Sequence, residues 1–382
     1  MDGSVVQKPK GTGRWYVVTR HRQPKGTYKQ QWHGSHATRR EAKAALNEIV
    51  NKINKGNHVE PMKVTVSEYL ATWIDGAAVA LRPSTLDSYK RNIGWHIDPA
   101  LGHHRLQALT AAHLNVFYAH LLEAGRKDGQ GGLSVKTVRY IHGIIRTSLR
   151  DAVDAGLIVQ NVATKAKPPK LRAAKARDMQ TWTAAELRRF YDHLRGDRLF
   201  AIWRVLGQTG MRRGEVLGLK WDSVDLDLAR ISVTRTVISV NYKALIGDAK
   251  TQKGVRVIDL DPATVVALRA HRHQQRQERL AWGPAYTDTG LVFARQNGNL
   301  IHPDLLSQVF RGHVAKAGLS KIRLHDLRHT HATLALKAGV HVKVISERLG
   351  HADVAFTMNT YAHAIPGMQA EAAVQIAALV DG

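Results

Sequence analysis

The chain contains no cysteine in 382 residues. Disulfides, thiol nucleophiles and cysteine-ligated zinc are thereby excluded, and any metal would rest on His or carboxylates. No run of about 18 apolar residues and no signal-peptide pattern occurs, so a cytoplasmic location is the expectation and no membrane partner is expected. The GxxxxGKS/T phosphate loop of nucleotide hydrolysis is missing, as is HExxH. Acidic residues are scarce, 31 Asp plus Glu against 56 Lys plus Arg, a net charge of +25. That surplus favours a polyanionic partner and salt-sensitive binding, with nucleic acid first. At 44% hydrophobic content the chain can bury more than one core, which suggests two or three domains.

Residues 1–62 hold two strand-like runs, Arg14–Thr19 and Lys29–His33, and a helix-like Thr38–Leu46, a small sheet plus one helix. Here 12 Lys plus Arg face 4 Asp plus Glu, a disproportionate net +8. From 63 to 163 the pattern is helical, with Val66–Trp73, Ser84–Tyr89, Leu114–Leu122 and Ser134–Val153 expected to form a bundle. In the last of these, Val135, Val138, Ile141, Ile145, Leu149 and Ala152 recur every three or four residues, and Gly156 offers a left-handed stop. Lys136, Arg139 and Arg146 make its other face basic and able to touch phosphates, although ordinary solvated charge explains any one of them equally well. Residues 164–177 carry Lys165, Lys167, Lys170 and Arg172, no acid, and Pro168-Pro169. This reads as an extended basic linker that could track a DNA backbone, or simply as a tether.

The last domain is expected from 178 to 382. Thr183 and Glu186 have capping-box spacing, helices are expected over Arg198–Gln208, stopped by Gly210, and over Arg213–Leu219, and Arg230–Val237 and Val255–Leu260 alternate as strands. The fold class is mainly α with small β-sheets, in several domains.

Near the C-terminus, His325, Arg328, His351 and Tyr361 lie within 37 residues, with Arg212 upstream in Thr209-Gly-Met-Arg-Arg-Gly-Glu215. Two guanidiniums suit a phosphate's oxygens, imidazoles move protons or hydrogen-bond near neutral pH, and a phenol oxygen can attack phosphorus. Arg212 sits at a junction of two helices, where backbone N–H groups accompany its guanidinium, and Glu215 one turn later can orient neighbouring side chains. His325 and Arg328 share one face at the start of a helix running to Lys337, and His351 follows a helix over His341–Leu349 with Gly350 as its cap. Tyr361 is the only tyrosine after Tyr286. Taken singly, each has a plain alternative: a surface Arg–Glu pair, a structural histidine, a tyrosine anchoring a helix. Lys250 lies between the strand-like runs in a hairpin-like connection, where Lys253 competes with it. His329, His331 and His363 raise the idea of zinc, but they have neither HExxH spacing nor cysteine partners, so no metal is expected.

In order, Arg212, Lys250, His325, Arg328, His351 and Tyr361 resemble the tyrosine recombinase family, the phage-integrase type, and Leu217-Gly-Leu-Lys-Trp221 extends the match. The likeness covers most of the chain. It implies an arm-binding module at 1–62, a core-binding domain at 63–163 that closes over one side of DNA, and a catalytic domain at 178–382. It implies that Tyr361 attacks the scissile phosphate, giving a 3′-phosphotyrosine and a free 5′-hydroxyl, while Arg212 and Arg328 stabilise the transferring group. Lys250, chosen over Lys253 for its Lys-Thr context, would protonate the leaving oxygen. His351 stands where relatives sometimes carry tryptophan, which suits hydrogen bonding and packing. No cofactor is implied, because the covalent intermediate conserves the bond's energy. The implied partners are double-stranded attachment sites, a homotetramer on DNA, a directionality factor and a DNA-bending host protein. The implied outcome is integration, and excision, of a mobile element or prophage. A terminal helix over Met368–Val380 would dock on a neighbouring protomer or on its own domain. Type IB topoisomerases share nearly the same chemistry, and an inactive DNA-binding regulator could use the same scaffold.

Overall fold

A computed structural model of the chain describes residues 2–8, 13–22, 28–54, 59, 61–171, 179–248, 255–351, 353–361 and 368–381. They fall into two compact units, residues 1–172 and 173–382.

The first unit begins with an antiparallel sheet of β1 (Asp2–Gln7), β2 (Trp15–Arg22) and β3 (Tyr28–His36), covered by α1 (Arg39–Asn54). Val5 pairs with Val17 and Val18 with Trp32, and Val17, Val18 and Ala42 are buried. β1 is not among the strands expected from the sequence. Its Val5 and Val6 are adjacent rather than alternating, so the period-two signal is lost and the pairing with β2 makes the strand.

Next come α2 (Val66–Ala77), α3 (Pro83–Asn92), α4 (Asp98–Leu101), α5 (Ala111–Ala124) and α6 (Val135–Asp154). Thr65 and Glu68 cap α2 reciprocally. The buried face of α6 includes Val138, Ile141, Ile145, Leu149 and Ala152, and Gly156 follows in the left-handed region at φ 68°. Two polar ties cross the bundle: the Tyr69 hydroxyl donates to the Ser148 carbonyl (2.5 Å) and Trp73 Nε1 to Asp151 Oδ2 (2.8 Å). The expected linker is not free along its whole length. The Lys167 N–H donates to Asn115 Oδ1 (2.7 Å) and Ala166 packs on the bundle core, so the chain stays attached before the undescribed stretch 172–178.

The second unit opens with α7 (Ala184–His193), started by the expected capping box of Thr183 and Glu186. Then follow α8 (Phe200–Thr209), α9 (Arg213–Leu217), β4 (Val224–Asp225), β5 (Arg230–Val233), β6 (Arg235–Val240), β7 (Lys243–Asp248) and β8 (Arg256–Asp259). The helices α10 (Pro262–Trp282), α11 (Pro303–Lys316), α12 (Asp326–Lys337), α13 (Val342–Leu349), α14 (Val354–Tyr361) and α15 (Met368–Val380) complete it. Its centre is aromatic: Trp182 meets Phe190 (ring centroids 5.0 Å apart), and Phe310 meets both Phe190 (5.4 Å) and Trp203 (5.7 Å).

One expected strand is two. Arg230–Val233 pairs with β4 and β8, whereas Arg235–Val240 leaves that sheet and forms a hairpin with β7. The reason is tertiary. Gly214 and Gly218 of the α9 segment let β6 approach so closely that a methyl at Gly218 would lie 2.9 Å from Thr236 Cα. The hairpin turns on Asn241 and Tyr242 at φ 48° and 59°, the paired left-handed geometry that ordinarily selects Asn-Gly. Tyrosine is a strained choice there. Tyr242→Gly should relieve about 1–2 kcal/mol of backbone strain against about 0.5–1 kcal/mol of added chain entropy. A net stabilisation of roughly 0.5–1 kcal/mol is therefore expected in urea denaturation.

Candidate active site

The site begins where α8 ends. Gly210 takes φ 65°, and a methyl there would meet Leu349 Cδ2 at 2.6 Å and His331 Cδ2 at 2.8 Å, so only glycine lets this corner close. The chain then reaches Arg212, the residue preceding α9. Glu215 accepts from the Arg212 backbone N–H (2.9 Å) and from its Nη1 (2.7 Å). The same buried carboxylate accepts from Arg256 Nη2 (2.8 Å) and Nη1 (3.3 Å), while Arg256 Nε donates to the Arg348 carbonyl (2.6 Å). Burial pushes the Glu215 carboxyl up, but the hydrogen bond and charge of Arg256, then Arg212, hold it below its ordinary value. It is an ionised hub between two guanidiniums.

His325 stands at the start of α12, and Asp326 beside it is locked by Arg323 through the backbone N–H (2.7 Å) and the guanidinium (2.8 Å). One turn on, Arg328 is only 3% exposed. Its Nη1 donates to the Gly210 carbonyl (2.7 Å) and its Nη2 to the Leu349 carbonyl (2.7 Å), while Arg212 Nη2 donates to the Gly350 carbonyl (3.2 Å). Two corners far apart in sequence are thus laced together by two arginines. Burial lowers the Arg328 pKa, as do Arg212 and Arg256, with Glu215 opposing, yet a guanidinium keeps its charge.

Gly350 caps α13 at φ 67°, and His351 follows. The His351 Nδ1 hydrogen-bonds Thr357 Oγ1 (2.8 Å) and its ring stands edge-on to Phe356 (centroids 4.9 Å). Burial, then Arg328, Arg212 and Arg256, brings its pKa down to about 4. Burial together with His329 and Arg328 brings His325 to about 4 as well. At neutral pH both rings are hydrogen-bonding groups without charge.

Tyr361 closes α14 and is 1% exposed, packed with Ala332, Ile345 and Leu349. Its hydroxyl lies 2.8 Å from His329 Nδ1, and burial raises its pKa to about 12. The sequence raises His329 only as a zinc candidate, beside His331 and His363. The usable signal was its spacing four residues after His325, which puts both rings on one helix face, 5.2 Å apart. His331 turns elsewhere, toward the Gly207 carbonyl (3.2 Å), and His363 lies outside the described residues. Among the described residues no three His or acidic side chains converge as a metal site. Arg256 is absent from the expected site as well, because in the sequence it stands as an ordinary residue of an alternating strand.

Lys250, its competitor Lys253 and Arg172 lie outside the described residues. Lys136, Arg139, Arg146, Lys165, Lys167 and Lys170 are exposed on the first unit, with Arg139 Nη1 donating to the Pro169 carbonyl (3.2 Å).

Comparison with known proteins covers nearly the whole chain. Residues 180–367 match the model of the phage integrase family, residues 65–122 that of the phage integrase N-terminal SAM-like domain, and residues 5–53 that of an arm DNA-binding domain. A protein named tyrosine recombinase XerC-like from Caldanaerobacter subterraneus subsp. tengcongensis is 28% identical over 88% of both chains. An integrase of Mycobacterium phage L5 is 28% identical over 75% of this chain and 72% of that one. Among solved structures, the Tn1549 transposon integrase in complex with circular intermediate DNA aligns with TM-score 0.65 at 21% identity, over 81% of this chain and 99% of that one. A lambda integrase tetramer bound to a Holliday junction aligns with TM-score 0.52 at 17% identity, over 91% and 95%.

Two expectations follow from the geometry. Glu215→Ala leaves Arg256 buried beside Arg212 without its carboxylate, a loss of about 3–5 kcal/mol expected in urea denaturation. Stability should also fall as pH drops from about 6.5 to about 4. His331 and His351 stay neutral in the folded chain down to about 4 because of burial and nearby arginines, whereas the unfolded chain protonates from 6.5 downward. The unfolded state then binds more protons, so stability rises with pH across that window, and His331→Gln should flatten the slope.

Proposed function

The chain belongs to the phage-integrase type of the tyrosine recombinase family, and on that premise we propose that it cuts and rejoins DNA at specific sites through a 3′-phosphotyrosine. The observation that carries this reading is the lacing of Arg212 and Arg328 to the carbonyls of Gly210, Leu349 and Gly350, with His351 next in sequence and Tyr361 packed on Leu349.

A scissile phosphate at the two guanidiniums replaces part of their carbonyl contacts with charge-assisted bonds to its non-bridging oxygens. The Tyr361 oxygen bonds to phosphorus as the bond to the 5′ oxygen breaks, and Lys250 supplies the leaving oxygen's proton. His325 and His351, both uncharged, steady the phosphate by hydrogen bonds. Glu215 holds Arg212 in place and acts through it. Rejoining to a different 5′-hydroxyl exchanges strands, and two rounds through a four-way junction complete recombination. No cofactor takes part.

In this reading residues 1–62 bind arm sites and residues 63–163 grip the core site with a face that includes Lys136, Arg139 and Arg146. Lys165, Lys167, Lys170 and Arg172 follow the backbone between domains. The working form is a homotetramer on two attachment sites in the cytoplasm, with α15 linking protomers. A directionality factor and a DNA-bending host protein set the balance between integrating and excising a mobile element or prophage.

The test begins with a core duplex selected by binding from random sequence and nicked so that cleavage becomes irreversible. The wild-type chain should form a covalent protein–DNA adduct, Tyr361→Phe none, and Arg328→Lys should cleave at least about 10²-fold more slowly. Absence of an adduct with the wild-type chain overturns the reading. Plasmid relaxation without recombinant joints between paired sites would recast the chain as a topoisomerase.

A further inference from the structure

We propose that His329 is a further catalytic residue, whose Nδ1 takes the proton of the Tyr361 hydroxyl during attack and returns it during rejoining. This rests on Tyr361 being the nucleophile.

The contact is already made at 2.8 Å between Nδ1 and the phenolic oxygen. It is held from both sides. Tyr361 is fixed by packing on Ala332, Ile345 and Leu349, and the His329 ring is set edge-on to His325 at 5.2 Å and tilted against the tyrosine ring at 5.7 Å. His329 also follows Arg328 directly in α12, so the ring that meets the phenol moves with the guanidinium that laces the two corners. The buried phenol keeps its proton at neutral pH and needs an acceptor. The nearby carboxylates are occupied, Glu215 by Arg212 and Arg256 and Asp326 by Arg323, and His351 Nδ1 is occupied by Thr357.

The groups facing His329 favour a neutral, accepting ring. Burial lowers its pKa, Asp326 opposes, and Arg328 and Arg323 add to the lowering. His325 on the same helix and His351 from the turn after α13 are themselves uncharged at neutral pH. When Nδ1 accepts, the ring's own proton sits on Nε2. In the step, the bond from the Tyr361 oxygen to phosphorus forms and the bond from phosphorus to the 5′ oxygen breaks. One proton passes from the phenol to Nδ1, and the leaving oxygen receives another from Lys250. Rejoining reverses each transfer.

Single-turnover cleavage of the nicked duplex between pH 5 and 9 tests this. Wild-type cleavage should rise with pH and then flatten as the ring becomes fully neutral. His329→Gln keeps the size and a hydrogen bond but cannot carry the proton. It should cleave about 10²- to 10⁴-fold more slowly, without the plateau, while binding the duplex as before. The defect should persist on a duplex whose leaving group is a 5′-bridging sulfur, which needs no acid. His329→Asn, with thermal melting of both variants, separates a folding defect from a chemical one. A wild-type rate and pH profile in His329→Gln would overturn the proposal, as would full rescue by the sulfur leaving group. If the wild-type chain forms an adduct and Tyr361→Phe does not, the nucleophile reading stands whichever way His329 falls; if the wild-type chain forms none, both are overturned.

Discussion

A guanidinium withdrawn from water must find acceptors, and for Arg328 these are the Gly210 and Leu349 carbonyls, 118 and 21 residues away in sequence. Both lie at the C-terminal ends of helices, α8 and α13, where carbonyls lack partners within the helix and the helix dipole attracts a cation. The arginine thus closes two helix ends at once, and it does so only because Gly210 and Gly350 turn left-handed there. Everything else in the site is referred to this closure. Arg212 reaches Gly350 across it, His351 leaves it, and Tyr361 packs on the same Leu349.

Features written into a few consecutive residues were legible beforehand. The glycine stops at 156, 210 and 350, the Thr183–Glu186 cap and the α6 stripe follow from local backbone and periodicity, and the structure has them in place. What escaped was decided at a distance. β1 depends on its partner strand, and the break between β5 and β6 depends on two glycines of the α9 segment that no strand pattern registers. Arg256 looked like one residue in an alternating strand because its meaning lies in Glu215, 41 residues earlier. Grouped with the other histidines, His329 suggests a metal ligand; the helix face it shares with His325 carries more information.

The histidines show how burial assigns roles that residue type leaves open. His325, His331 and His351 are all driven toward a pKa of about 4, so at neutral pH the surroundings of the arginines contain neutral imidazoles. Near neutral pH these three rings add no charge of their own, and the positive charge beside them rests on guanidiniums, which do not titrate.

Glu215 between its two arginines has a consequence for timing along the reaction. Three guanidiniums, Arg212, Arg256 and Arg328, set against one carboxylate leave two net positive charges. A phosphodiester in its resting state carries one negative charge, and the five-coordinate species at the top of the barrier carries two. In the proposed reaction these fixed charges meet the extra negative charge that develops while phosphorus changes partners, so they favour that moment over the resting strand. Without the glutamate the arginines would gain net charge and lose the partner that aligns Arg212, so attraction and alignment would no longer be coupled.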